Sequence, residues 1–111
     1  MTTNRIDIVL IGEGRQLSDL LAGLATRSRL LRVTIQAVVD IGPGPDHPAL
    51  AHARNIGVPL VGTSLDEVQC HGSCDLVVMT VDNQASAALR ARLPAELPVL
   101  GPRMLPVLDG I

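Results

Sequence analysis

Short runs of branched aliphatic residues alternate with helical segments along this 111-residue chain. The first run, residues 6–11, is unbroken, which is typical of a strand covered on both faces. A helical spacing of leucines follows it, at Leu17, Leu20, Leu21 and Leu24. Further strands are predicted at residues 33–40, 58–62, 75–81 and 98–101. The alternation predicts an α/β fold, a doubly wound five-stranded parallel sheet in the order 3-2-1-4-5.

Local signals mark where the intervening helices begin and end. Pro48 suits the first position of a helix that Gly57 then stops. Residues 64–67 fit a capping box, which opens a short helix. A further helix is predicted from residue 84 to residue 93, and the segment after the fifth strand is also helical in pattern. We therefore expect one domain over residues 1–111.

Two residue classes are absent from the composition. There is no Phe, Tyr or Trp, so bases cannot stack on aromatic side chains as in most single-strand nucleic-acid sites. All nine basic residues are arginine, which excludes a Schiff-base lysine and a P-loop lysine. The net charge is −2, so the chain lacks the excess of positive charge that is typical of proteins that bind DNA or RNA.

The sequence contains neither a membrane-spanning run nor a secretory signal. The apolar runs are far shorter than the ~20 residues needed to span a bilayer. The first residues, "MTTNRID", lack the apolar region of a secretory signal. These observations predict a cytoplasmic protein without membrane insertion.

The turn after the first strand has the sequence Gly12-Glu13-Gly14, and a helix follows it. In dinucleotide-binding folds the first glycine permits the tight turn and the second admits a pyrophosphate. The strand before and the helix behind favour this interpretation. Leu17 stands where a third glycine is usual, and Glu13 brings a carboxylate into the loop. Glycines that serve only the turn remain the alternative.

The second predicted strand ends in Asp40, which lies 26 residues after Gly14. A carboxylate at that place accepts both hydroxyls of an adenosine ribose. No arginine follows closely to receive a 2′-phosphate, so NAD is favoured over NADP. The alternative is that Asp40 only ends the strand and caps a loop.

The fourth strand leaves the sheet at residues 79–83, beside the first strand, where ligands usually lie. Thr80 and Asn83 are candidates to face a nicotinamide ribose, although Asp82 or Asn83 equally suits a helix cap. Arg15 follows Gly14 at a helix N-terminus, where anions collect. The candidate cofactor-binding residues are therefore Gly12, Glu13, Gly14, Arg15, Gln16, Asp40, Thr80, Val81 and Asn83.

With these residues assembled, nearly the whole chain resembles the NAD(P)-binding Rossmann superfamily. The turn at Thr80–Asn83 is similar to that in the N-terminal modules of homoserine dehydrogenase, dihydrodipicolinate reductase and glucose-fructose oxidoreductase-type enzymes. The run "GEGRQLSDLLAGL" also resembles Rossmann-type input modules of bacterial sensor histidine kinases. The resemblance implies a nucleotide-binding fold and does not single out one function.

Two cysteines and three histidines were considered for metal or redox chemistry. Cys70, His71 and Cys74 form "CHGSC", which is too few ligands for a structural zinc site. We favour two ordinary thiols in a loop, with a reversible Cys70–Cys74 disulfide as the minor alternative. His47, directly before Pro48, is interpreted as part of a helix start.

The leading functional hypothesis is a small NAD- or nucleotide-binding module with a sensory or regulatory role, such as the input domain of a larger signalling protein. A chain this short leaves little room for a substrate domain, so binding without turnover is expected. The apolar segment at residues 104–111 predicts a homodimer or docking on an adjoining domain. A ligand-free interaction module and a CoA- or adenine-nucleotide-binding domain remain alternatives.

Overall fold

The computed structural model describes residues 6–43, 46–63, 74–81, 84–93 and 96–102. Within these ranges the elements alternate along the chain, with five strands and three helices. The strands are β1 (Ile6–Gly12), β2 (Val33–Asp40), β3 (Leu60–Gly62), β4 (Leu76–Met79) and β5 (Val99–Leu100). The helices are α1 (Gly14–Leu31), α2 (Pro48–Asn55) and α3 (Gln84–Arg92).

All four strand pairings are parallel, and the sheet has the order β3-β2-β1-β4-β5. This confirms the predicted Rossmann-like sheet. The connections reverse direction at β1, whose two neighbours are β2 and β4. In open parallel sheets, ligands bind at the carboxyl ends of the strands beside such a reversal.

The five predicted strands are all present, and their bounds differ from the prediction by no more than two residues at either end. The second strand has the predicted bounds, and α2 begins at Pro48. The third, fourth and fifth strands are shorter than predicted, because their ladders cover only Leu60–Gly62, Leu76–Met79 and Val99–Leu100. The predicted capping box and the segment at residues 104–111 lie outside the described residues. No helix in the described ranges combines the length and the apolar character needed to cross a membrane.

The register between β1 and β2 changes by one residue. Ile8 pairs with Ile35, whereas Val9 pairs with Ala37, so the register passes over Gln36. Because side chains alternate between the faces of a strand, an extra residue exchanges the faces of everything beyond it. After the shift, Gly12 pairs with Asp40.

Two apolar layers lie on opposite faces of the sheet. One joins the strands to α1 and α2, and its buried members include Leu10, Leu17, Leu21, Val38, Leu50 and Val78. The other contains Val9, Ile11, Ala37, Val39, Val77 and Met79, with Leu89 and Leu93 of α3 packed against it. Aliphatic residues and one methionine therefore form the described core without aromatic rings.

The turn between β1 and α1 is closely packed at its first glycine. The backbone N–H of Thr80 donates to the carbonyl of Ile11 at 2.9 Å, which brings the Thr80 side chain onto Gly12. A Cβ at position 12 would overlap Thr80 Oγ1 and lie 3.0 Å from Thr80 Cβ. Gly14 has a φ of +59°, a left-handed conformation that favours glycine. Position 12 thus requires glycine because a side chain would overlap Thr80, and position 14 favours glycine because of its left-handed backbone.

We predict that Gly12→Ala lowers the free energy of unfolding by about 1–3 kcal/mol, the usual cost of overpacking a buried position. Replacing Thr80 by Ala as well should recover part of that loss, since Oγ1 is the atom in closest conflict. Urea denaturation of the two single variants and the double variant measures the coupling.

Gly23→Ala is the matched control, because Gly23 lies within α1 and a Cβ there would meet nothing within 4 Å. That change should stabilise the protein by about 0.5–1 kcal/mol, the difference between glycine and alanine in a helix. Equal stability of wild type and Gly12→Ala would show that the contact with Thr80 does not constrain the turn.

Candidate functional site

A cleft of about 430 Å³ lies where β1 and β2 end and α1 and α2 begin. The residues that form it come from the glycine turn and from the loop after β2. They are Glu13, Gly14, Arg15, Gln16, Asp40, Gly42, Pro43, Asp46 and His47. Its position at the carboxyl ends of parallel strands is the usual place for a ligand in this architecture.

The N-terminus of α1 forms one wall of the cleft. The helix begins at Gly14, so the N–H groups of Gly14, Arg15 and Gln16 have no carbonyl partner inside the helix. The first turn contains no acidic residue that would offset the positive end of the helix dipole. Both Arg15 and Gln16 are exposed. This wall can therefore donate hydrogen bonds to an anionic group.

Asp40 forms the floor of the cleft and is only 1% exposed. Its Oδ1 accepts the backbone N–H of Gly42 at 2.9 Å, which turns the chain immediately after β2. A Cβ at Gly42 would lie 2.9 Å from Glu13 Cβ and 3.0 Å from Asp40 Oδ1. Glycine at position 42 thus lets this loop approach the turn after β1 closely.

The second oxygen of Asp40 is in a different situation. Oδ2 is buried and accepts no hydrogen bond in the part of the chain that the structure describes. The imidazole Nδ1 of His47 lies 3.3 Å away, within ion-pair distance but without hydrogen-bond alignment. A buried acceptor without a hydrogen bond costs roughly 1–3 kcal/mol, so this oxygen is available to a donor brought by a ligand.

The charged lining of the cleft is mainly acidic. Glu13, Asp40 and Asp46 contribute carboxylates, whereas Arg15 contributes the guanidinium. Carboxylates repel a phosphate and attract hydroxyl donors. The arrangement therefore suits a ligand that presents hydroxyl groups to Asp40 and keeps any phosphate at the N–H groups of α1.

Thr80 and Val81 lie just beyond β4, on the other side of β1 from Asp40. Thr80 is 3% exposed and packs on Gly12, and neither residue lines the described cleft. In the described part of the chain, Thr80 Oγ1 has no hydrogen-bond partner. The hydroxyl thus packs against the first glycine of the turn between β1 and α1.

The structure brings together six of the sequence-predicted candidates. Five line the cleft, namely Glu13, Gly14, Arg15, Gln16 and Asp40, and Gly12 begins the turn that carries the first four of them. Asn83 lies outside the described residues. Sequence reasoning missed Gly42, Pro43 and Asp46, and it gave His47 only a role in starting α2. The Asp40-x-Gly42 pattern, typical of a turn held by an aspartate side chain, was the signal for this loop.

The cysteine and histidine candidates do not form a site in the described ranges. Cys74 is a half-buried free thiol whose Sγ lies 3.4 Å from the carbonyl oxygen of Leu76. Cys70 and His71 lie outside the described residues. Among the residues that are described, no group of three or more potential ligands could hold a metal ion.

A comparison with solved structures finds the crystal structure of apo scyllo-inositol dehydrogenase from Lactobacillus casei, with a TM-score of 0.60 and 24% sequence identity. The alignment covers 91% of this chain and 29% of that chain, so the chain spans less than a third of the dehydrogenase. The similarity supports the Rossmann-like fold. No family model matches the chain, and no curated protein matches it.

The hydroxyl of Thr80, which has no hydrogen-bond partner within the described ranges, leads to a stability prediction. Thr80→Ser keeps the hydroxyl and removes a methyl group, which should destabilise the protein by about 1 kcal/mol. Thr80→Ala removes the hydroxyl too, yet should be more stable than Thr80→Ser by about 1 kcal/mol, because no hydrogen bond is lost. Thermal and urea unfolding measure the order, and a less stable Thr80→Ala would mean that the hydroxyl has a partner.

Proposed function

We propose that the chain is a nucleotide-binding module and that its cleft takes the adenosine ribose of NAD. The observation that carries the proposal is Asp40, a carboxylate beside the cleft that is 1% exposed and has one oxygen without a hydrogen bond among the described residues. Native proteins rarely leave a buried acceptor without a hydrogen bond, and such groups are candidates for ligand contacts. A ribose hydroxyl supplies the missing donor.

The wall of the cleft at the start of α1 suits the pyrophosphate of such a ligand, with the exception of Glu13. The N–H groups at the start of α1 would hold the pyrophosphate, with Arg15 as the nearby cation. Glu13 is the poor fit, because its carboxylate shares the cleft with that phosphate. Its half-buried position leaves part of the side chain in solvent, where the repulsion is screened.

The acidic lining supports a preference among nucleotides. NAD carries less negative charge than NADP, ATP or CoA, since its nicotinamide ring is cationic and it has no further phosphate. Repulsion from Asp40, Asp46 and Glu13 should therefore weaken the other three relative to NAD. This extends the sequence-based preference for NAD over NADP.

A sensory or regulatory role is the form of nucleotide binding that we propose. Asp40 accepts the Gly42 N–H through Oδ1 and contacts His47 through Oδ2. A ligand that binds Oδ2 would therefore change the contacts of the loop that leads to α2. Occupancy of the cleft would thereby change the surface at the start of α2. A larger signalling protein or a second copy of the chain would then detect that surface.

Self-association is proposed separately, from the sequence of residues 104–111. Four aliphatic residues in that segment, each worth about 1.5–3 kcal/mol when buried, favour docking on a second copy or an adjoining domain. Sedimentation velocity at micromolar concentration should show a dimer that Leu105→Asp and Leu108→Asp dissociate. A monomer in every case would rule out the homodimer.

For nucleotide binding, we predict that Asp40→Asn weakens NAD about ten- to a hundredfold. The estimate follows from a hydrogen bond to a charged group, worth about 1.5–3 kcal/mol, at about 1.4 kcal/mol for each factor of ten. Asn keeps an oxygen for the Gly42 N–H, so the loop should keep its turn. Titration calorimetry of both proteins with NAD measures the difference.

Asp19→Asn is the control, since Asp19 is an exposed carboxylate on α1 that does not line the cleft. It should bind NAD as the wild type does. A panel of NAD, NADP, ATP and CoA on the wild type separates the alternatives. Tightest binding of CoA or ATP would reassign the ligand, and absence of binding throughout would favour a ligand-free interaction module.

A further inference from the structure

His47 is the residue whose position the proposed function leaves unexplained. Its imidazole lies over Asp40 with Nδ1 3.3 Å from Oδ2, and both side chains line the cleft. The imidazole is 16% exposed, whereas the carboxylate is 1% exposed. The His47 imidazole therefore lies against Asp40 Oδ2, the oxygen that the proposed function assigns to a ribose hydroxyl.

The backbone of His47 is fixed by the start of α2. Its carbonyl accepts the N–H of Leu50 at 3.1 Å and that of Ala51 at 3.4 Å. Pro48 follows at the first position of the helix, and Leu50 is buried in the core. The side chain makes no capping hydrogen bond to the helix. Rotation of the imidazole away from Asp40 therefore breaks no capping hydrogen bond of α2.

A ligand hydroxyl is the better partner for Oδ2. A hydroxyl that donates to a carboxylate approaches to about 2.5–2.7 Å and forms one of the stronger hydrogen bonds in proteins. The His47 contact is longer and is not aligned as a hydrogen bond. A donor that enters the cleft would therefore displace the imidazole from this oxygen.

We propose that His47 competes with the ligand for Asp40 Oδ2 and thereby sets the affinity of the cleft for vicinal hydroxyl groups. The inference rests on the function proposed above and adds a residue that opposes binding. In the ligand-free protein the imidazole partly compensates the buried carboxylate. In the complex a ribose hydroxyl takes that place and the imidazole turns toward solvent.

The test compares His47→Ala with wild type. Removing the competitor should tighten NAD and adenosine roughly two- to fivefold, because the displaced contact is a weak one without hydrogen-bond alignment. His47→Gln, whose amide can still reach Oδ2, should stay near wild type. His52→Ala is the matched control, because His52 lies on α2 and outside the described cleft.

A ligand without the hydroxyl groups isolates the mechanism. 2′,3′-Dideoxyadenosine should bind wild type and His47→Ala equally, since it brings no donor to Oδ2. Weaker adenosine binding by His47→Ala would mean that the imidazole contacts the ligand, and unchanged binding would mean that it does not compete. Either result overturns the role of His47 and leaves the nucleotide site standing.

Nuclear magnetic resonance gives a readout that does not depend on the affinities. Addition of NAD should shift the ring resonances of His47 and leave those of His52 in place. Asp40→Asn should shift the His47 ring resonances without any ligand, because it changes the charge 3.3 Å away. A His47 ring that is insensitive to both changes would contradict the proposal. If NAD does not bind the wild type at all, the proposed function is wrong, and the role of His47 is wrong as well.

Discussion

The pairing of β1 with β2 decides which side chains meet at the cleft. Its register passes over Gln36, and as a result Gly12 lies opposite Asp40. In an unshifted ladder, Gly12 would pair with Val39, and Asp40 would face the other side of the sheet. The N–H of Ile41 extends the ladder by donating to the Gly12 carbonyl at 2.8 Å. A one-residue irregularity thus brings the carboxylate and the glycine turn together on one face.

Two buried polar side chains, Asp40 and Thr80, lie beside Gly12 at the carboxyl end of β1. The described sheet buries aliphatic side chains on both faces, whereas Asp40 and Thr80 are the buried polar residues of the described chain. Each has a side-chain oxygen without a hydrogen bond. Because such groups reduce stability, each calls for an explanation, and for Asp40 the cleft beside it provides one. Asp40 faces the cleft, and Thr80 supports the turn from beneath.

The sequence predicted the architecture well and the cleft in part. Hydrophobic periodicity predicted the strand order and the bounds of β2. Turn chemistry predicted the glycine turn after β1 and the role of Asp40 at the end of β2. The register shift was not predicted, because Gln36 is flanked by apolar residues on both sides and interrupts no clear alternation. The roles of Gly42 and His47 depend on the path of a loop in three dimensions. The packing of Thr80 on Gly12 was not predicted either, because it depends on the backbone hydrogen bond between Thr80 and Ile11 in the folded sheet.

Backbone amide mapping tests the central claim most directly, namely that a nucleotide binds at the carboxyl ends of β1 and β2. Titration with NAD, followed by two-dimensional amide spectra, should shift the resonances of Gly14, Arg15, Gln16 and Gly42, which donate to or adjoin the proposed ligand. The amides of Ile56 and Gly57, which lie beyond the far end of α2, serve as the reference and should stay in place. Shifts confined to that far end, or no shifts at saturating NAD, would contradict the account.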